Sequence, residues 1–121
     1  MTAKSVDILG TEYSITKKTH EEEPCLKENN WGGFCDATNK EIILLDLDKT
    51  ESWHKETQKT RDVITKETLR HEIVHGFFNE SGLQDNGNVF GKSWAKNEEM
   101  VDWFAIQSPK IFKVFKELDI L

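Results

Sequence analysis

The stretch Arg70-His71-Glu72-Ile73-Val74-His75-Gly76-Phe77-Phe78 constrains this chain most, because its chemistry works only on a helix. Residues four apart on an α-helix lie about 40° apart around the axis and one turn along it, so His71 and His75 project side by side. Two neutral imidazoles at that spacing hold a tetrahedral Zn²⁺ at roughly 2.0–2.1 Å and leave positions for a further protein ligand and a water. Glu72 sits on the flank of the same face, where it can take a proton from the metal-activated water as general base. The competing reading is an ordinary core helix on which these residues fell by chance. Three fixed positions match by chance in well under about 1% of chains this long, and the helical context makes it rarer.

The flanking residues supply the helix. Ile64, Leu69, Ile73, Val74, Phe77 and Phe78 form an apolar arc at helical spacing, and Ser81-Gly82 gives a C-terminal stop. An arc that wide predicts a helix buried between layers, with the Ile73/Phe77 and Val74/Phe78 pairs locking its rotation. Its start falls between Gln58 and Thr65.

At 121 residues the chain predicts a single domain, residues 1–121, with a modest core. The longest apolar runs fall well short of the roughly 20 residues of a membrane helix. The N-terminus lacks the apolar core of a signal peptide, so a cytoplasmic protein without membrane contact is expected. A net charge of −6 argues against nucleic acid as the main partner. The two cysteines, Cys25 and Cys35, are not at metal-binding spacing and are expected reduced, outside the site.

Before the helix the pattern is that of strands. Residues 6–10 and 13–16 read as two strands around Gly10-Thr11-Glu12, the start of an antiparallel meander. Residues 18–30 are charged and read as an irregular surface excursion, with His20 a solvated histidine. Residues 31–36 and 41–47 read as a hairpin turning at Asn39; the second run is the most apolar strand and is placed against the helices. The Gly32-Gly33 pair marks either a flexible entry to the strand or a place where backbone passes close to another element. Residues 50–66 are polar, in part a loop, and contain His54, a weak candidate for a further active-site histidine. After Gly82, residues 83–94 form a glycine- and asparagine-rich loop that can bend the chain back across the histidine helix. Residues 97–107 read as a second helix and Ser108-Pro109 as the start of a third, with Ile111, Phe112, Val114, Phe115 and Leu118 as its apolar stripe.

A catalytic zinc takes three protein ligands plus water. The helix after the loop offers Glu98, Glu99 and Asp102. Glu98 and Asp102 are four apart and share a face, so one can bind the metal while the other accepts a hydrogen bond from the ring N–H of a ligating histidine. Glu99 points elsewhere. The plainer alternative is an acidic first turn favoured by the helix dipole.

His71-Glu72-x-x-His75 followed by Asn97-Glu98-x-x-x-Asp102 resembles the gluzincin pattern of thermolysin-like metallopeptidases. The segment Glu98-x-x-Val101-Asp102-x-Phe104-Ala105 also resembles a stretch of the small ImmA/IrrE-type metallopeptidases of phages and mobile elements. The resemblance implies a zincin-like α+β fold: a small N-terminal meander sheet packed on the buried histidine helix, followed by two C-terminal helices. It implies Zn²⁺ on His71, His75 and Glu98, Glu72 as general base, Asp102 orienting a histidine ligand, and a protein or peptide substrate. One departure stands out: the oxyanion-stabilising tyrosine or histidine of larger gluzincins has no counterpart, since Tyr13 lies in a strand far upstream and His54 or a backbone N–H would have to serve. The expected function is zinc-dependent hydrolysis of peptide bonds, with the sheet edge, taken as the strand at 41–47, holding the substrate as an added strand. The alternative from another class is a non-catalytic zinc-binding interaction module of phage or mobile-element origin.

Overall fold

A computed structural model describes residues 4–84 and 93–121. Strand β1 (Lys4–Ile8) pairs antiparallel with β2 (Thr11–Lys18). The turn between them uses Leu9 and Gly10 at φ of 51° and 89°, the left-handed pair whose twist suits a two-residue hairpin. Residues 18–30 are not wholly irregular: β2 extends to Lys18, and one helical turn, α1 (Cys25–Glu28), follows Pro24. The ring of Pro24 presets a helical φ of −60°, and Leu26, 0% exposed, anchors the turn to the core. The hairpin of β3 (Gly33–Asp36) and β4 (Glu41–Leu45) forms as its sequence predicts, with the Asp36 carboxylate accepting from the amides of Thr38 and Asn39.

The sheet is not a meander. Its order is β1-β2-β4-β3, and β4 runs parallel to β2. The connection through α1 is long enough to carry the chain across, as a parallel pairing requires. It also lets the most apolar strand take an interior place. Ile42 and Leu44 join Ile8, Tyr13 and Ile15 on one face, while Ile43 and Leu45 join Leu26 and Leu47 on the other. Of the two readings of Gly32-Gly33, close approach holds at Gly33. A Cβ there would sit 2.8 Å from the Ile43 carbonyl oxygen and 3.1 Å from the Thr68 methyl.

Helix α2 (Gln58–Glu80) starts on Thr57, whose hydroxyl accepts from the Thr60 amide, and ends where predicted. Gly82 takes φ +79°, and the amide of Leu83 bonds back to the Phe78 carbonyl, satisfying a helix-end acceptor. The helix lies between the sheet and α3 (Glu98–Glu117), but its buried stripe is narrower than expected. Leu69 and Ile73 pack on the first core face and Ile64 on the second, and Phe78 meets Trp94 and Phe104 edge-on. Phe77, expected in the buried arc, is 41% exposed. Gly76 permits the tightest packing, since a Cβ there would lie 2.7 Å from the Ile8 side chain.

Two C-terminal helices were expected and one is found. Pro109 sits inside α3, where it removes only its own bond to the Ala105 carbonyl. Ser108 donates its hydroxyl to the Phe104 carbonyl at the same turn, and the proline φ is itself helical. The loop expected at 83–94 lies mostly outside the described residues. Its described flanks are tied together by the Ala95 amide on the Leu83 carbonyl (3.0 Å) and the Ser93 hydroxyl on the Gln84 carbonyl (2.7 Å). The result is an α+β protein with a four-stranded sheet and three helices. No helix among the described residues is long and apolar enough to cross a membrane.

Candidate metal centre

Ligating atoms of His71, Glu72 and His75 all lie within 4.8 Å of one another on the middle of α2. The far side of each imidazole decides what the near side offers. His75 Nδ1 lies 2.6 Å from the backbone carbonyl oxygen of Ala95. A carbonyl only accepts, so Nδ1 carries the hydrogen. His71 Nδ1 lies 2.7 Å from Asp102 Oδ1, and an ionised carboxylate imposes the same tautomer. With Nδ1 bonded on the far side, each ring turns its Nε2 inward, where a neutral imidazole presents a lone pair, and the two Nε2 atoms are 3.1 Å apart.

Glu98 closes the group from α3. Its Oε2 is 3.0 Å from His71 Nε2 and its Oε1 is 3.1 Å from His75 Nε2. Asn97 makes this placement by capping α3: its side chain accepts from the Met100 amide at 3.0 Å, so Glu98 becomes the first helical residue. Glu98 and Asp102 share one face as their spacing predicts, and Glu99 is exposed and absent from the cleft walls. With neutral rings every inward atom of the group is an acceptor, an arrangement that repels itself unless a cation or protons sit at its centre. Tetrahedral ligands bound at roughly 2.0–2.1 Å stand about 3.3 Å apart, close to the observed contacts. The donors fit a zinc ion.

The two glutamates differ in kind. Glu98 has a side chain 66% exposed that reaches across to both histidines. Glu72 is 6% exposed, and burial pushes its carboxyl up to about 7, with His71 opposing and the carboxylates of Glu98 and Asp102 adding to the rise. A carboxylate poised near neutrality beside such a centre is suited to accept and return a proton.

The group opens into a cleft of about 900 Å³ walled by α2, the start of α3 and the edge strand β3. Among the described residues the edge strand beside the site is β3, and not the strand at 41–47 expected from sequence, which lies inside the sheet. The Leu45 amide bonds to the Gly32 carbonyl at 2.8 Å, and alternation along the antiparallel ladder then turns the backbone groups of Gly33 and Cys35 outward, toward the cleft.

Other candidates fall away from the centre. His54 is exposed, with Nε2 2.9 Å from the Asp48 carbonyl oxygen, and does not line the cleft. Tyr13 is 0% exposed and donates its hydroxyl to Glu80 at 2.6 Å. His20 lines a separate, smaller pocket. Cys25 and Cys35 are both free thiols. Cys35, expected outside the site, lines the cleft, but burial, followed by the Glu72 charge, pushes its thiol up to about 12, so it offers no thiolate. Sequence reasoning missed several wall residues, among them Trp31, Thr68 and Arg70, and the Ala95 carbonyl. A backbone carbonyl has no sequence signal, whereas Thr68 and Arg70 sit within one turn of His71 and were legible as its neighbours.

Compared with known proteins, the chain matches no family model, no curated protein and no solved structure.

Proposed function

We propose that this chain is a zinc-dependent metallopeptidase of zincin-like build, with His71, His75 and Glu98 holding the metal. One observation carries the reading: four inward acceptor atoms at 3.0–3.1 Å, with both histidine tautomers set by Asp102 and the Ala95 carbonyl. Bound there, zinc supplies Lewis acidity, acidifying a water toward neutrality and polarising a peptide carbonyl. Asp102 and the Ala95 carbonyl keep the imidazoles aimed and basic. Glu72 takes the proton of the attacking water on its carboxylate and hands it to the leaving amine nitrogen. The outward amides and carbonyls of Gly33 and Cys35 hold the substrate backbone extended along β3.

The binding-module alternative gives Glu72 no task, although keeping a carboxyl in so buried a position costs stability. Elemental analysis of the purified protein and of Glu98→Ala tests the centre, with about one zinc per chain expected in the first and a clear loss in the second. Peptide hydrolysis by zinc-loaded Glu72→Gln tests the base. Wild-type turnover in that variant would sink the assignment.

A further inference from the structure

Helix α3 is packed along only half its length. Its first half is held by Val101 and Ala105, both buried, and by Phe104 edge-on to Phe78. From Phe112 onward every residue is exposed, although the helix runs on to Glu117. This second half carries the apolar stripe that the sequence predicts: Phe112, Val114, Phe115 and Leu118 are 38–63% exposed, and Ile120 and Leu121 follow at 65% and 75%. So short a helical stretch normally draws its stability from packing an apolar face, and no other described element covers this one. At roughly 100 Å² apiece these six side chains offer about 600 Å². The methylene stems of the lysines beside them bring the face near the roughly 800 Å² that each partner contributes to a stable complex.

We infer that the second half of α3 is the contact of a two-fold dimer, in which the helices of two copies pair antiparallel. The charges select this occupant. The chain carries −6 overall, yet residues 107–121 hold three lysines against one glutamate and one aspartate, so two copies repel each other least where these segments meet. Ile111, Val114 and Leu118 fall at the three- and four-residue spacings of a helix–helix seam. Phe115 lies on one flank of that seam; Lys110 and Glu117, seven residues apart, lie on the other. In an antiparallel two-fold pair each flank meets its own copy, so Lys110 of one chain faces Glu117 of the second, and the reverse. A parallel pair sets Lys110 against Phe115 instead. Glu117 already lies 3.9 Å from Lys113 on its own helix, and the dimer makes it a shared acceptor. The contact stands or falls independently of zinc.

Sedimentation velocity of the full chain over roughly 1–100 μM tests the pairing, with wild type passing from monomer to dimer across that range. Leu118→Asp, at a side chain 63% exposed, weakens the dimer about 100-fold and leaves the circular dichroism spectrum unchanged. Glu117→Lys sets lysine against lysine twice and weakens it about 10-fold. The double reversal Lys110→Glu/Glu117→Lys restores it, because each flank is again complementary to its own copy. A wild type that stays monomeric throughout overturns the dimer, and its co-sedimentation with phosphatidylcholine–phosphatidylserine vesicles would then give the face to a lipid surface. Association that survives Leu118→Asp, or a double reversal no tighter than Glu117→Lys alone, overturns the antiparallel contact.

Discussion

Helix α2 carries two polar clusters whose contrast separates function from scaffolding. At its C-terminal end the Glu80 carboxylate accepts from the Thr11 hydroxyl (2.7 Å), the Tyr13 hydroxyl (2.6 Å) and the Lys40 ammonium (2.9 Å). One acceptor group meets three donors from two hairpins, and those donors, led by Lys40, hold its carboxyl down to about 2. In its middle, two histidine Nε2 atoms and two Glu98 oxygens face one another at 3.0–3.1 Å, with both Nδ1 atoms already engaged on the far side. A polar cluster that satisfies itself needs nothing further and serves as a clamp. One whose inward atoms converge without such donors is the arrangement that the proposed zinc would satisfy.

Breaking the centre has the largest effect. His75→Ala abolishes tight zinc binding, read as metal per chain after dialysis, and peptidase activity goes with it. Glu72→Gln separates the two, keeping zinc while turnover falls by about 10²- to 10⁴-fold. Asp102→Asn is milder, because the histidine stays but its orientation and basicity weaken. Zinc affinity drops about 10- to 100-fold in competition with a chelator, without loss of fold by circular dichroism.

At the clamp the same treatment changes stability and leaves zinc alone. Glu80→Gln lowers Tm with metal content unchanged. Its pH signature is specific: a carboxyl depressed in the folded state stabilises above its unfolded pKa of about 4.3 and loses that contribution as pH falls toward about 2. The difference in urea stability between wild type and variant therefore shrinks between those pH values. A constant difference would refute the charged clamp. Tyr13→Phe is the smallest perturbation, removing one hydrogen bond to a charged group while Thr11 and Lys40 remain, and costs about 1.5 kcal/mol.

The local chemistry was legible in the chain itself. The i, i+4 pairs His71/His75 and Glu98/Asp102 and the Gly82 stop all depend on neighbours within one helical turn. That range is what a sequence displays directly. The hairpin of β3 and β4 was readable for the same reason. Partner and position across the molecule were decided only by the tertiary structure. The unbroken Ile42-Ile43-Leu44-Leu45 run suits a strand buried on both faces, yet only assembly shows it between β2 and β3, leaving β3 as the edge beside the cleft. Pro109 marked a helix boundary by local rule, yet α3 runs through it, since the proline φ is itself helical and only one backbone bond is lost. The Ala95 carbonyl that aims His75 is the clearest case: every residue has one, so only the fold can choose which carbonyl meets the ring.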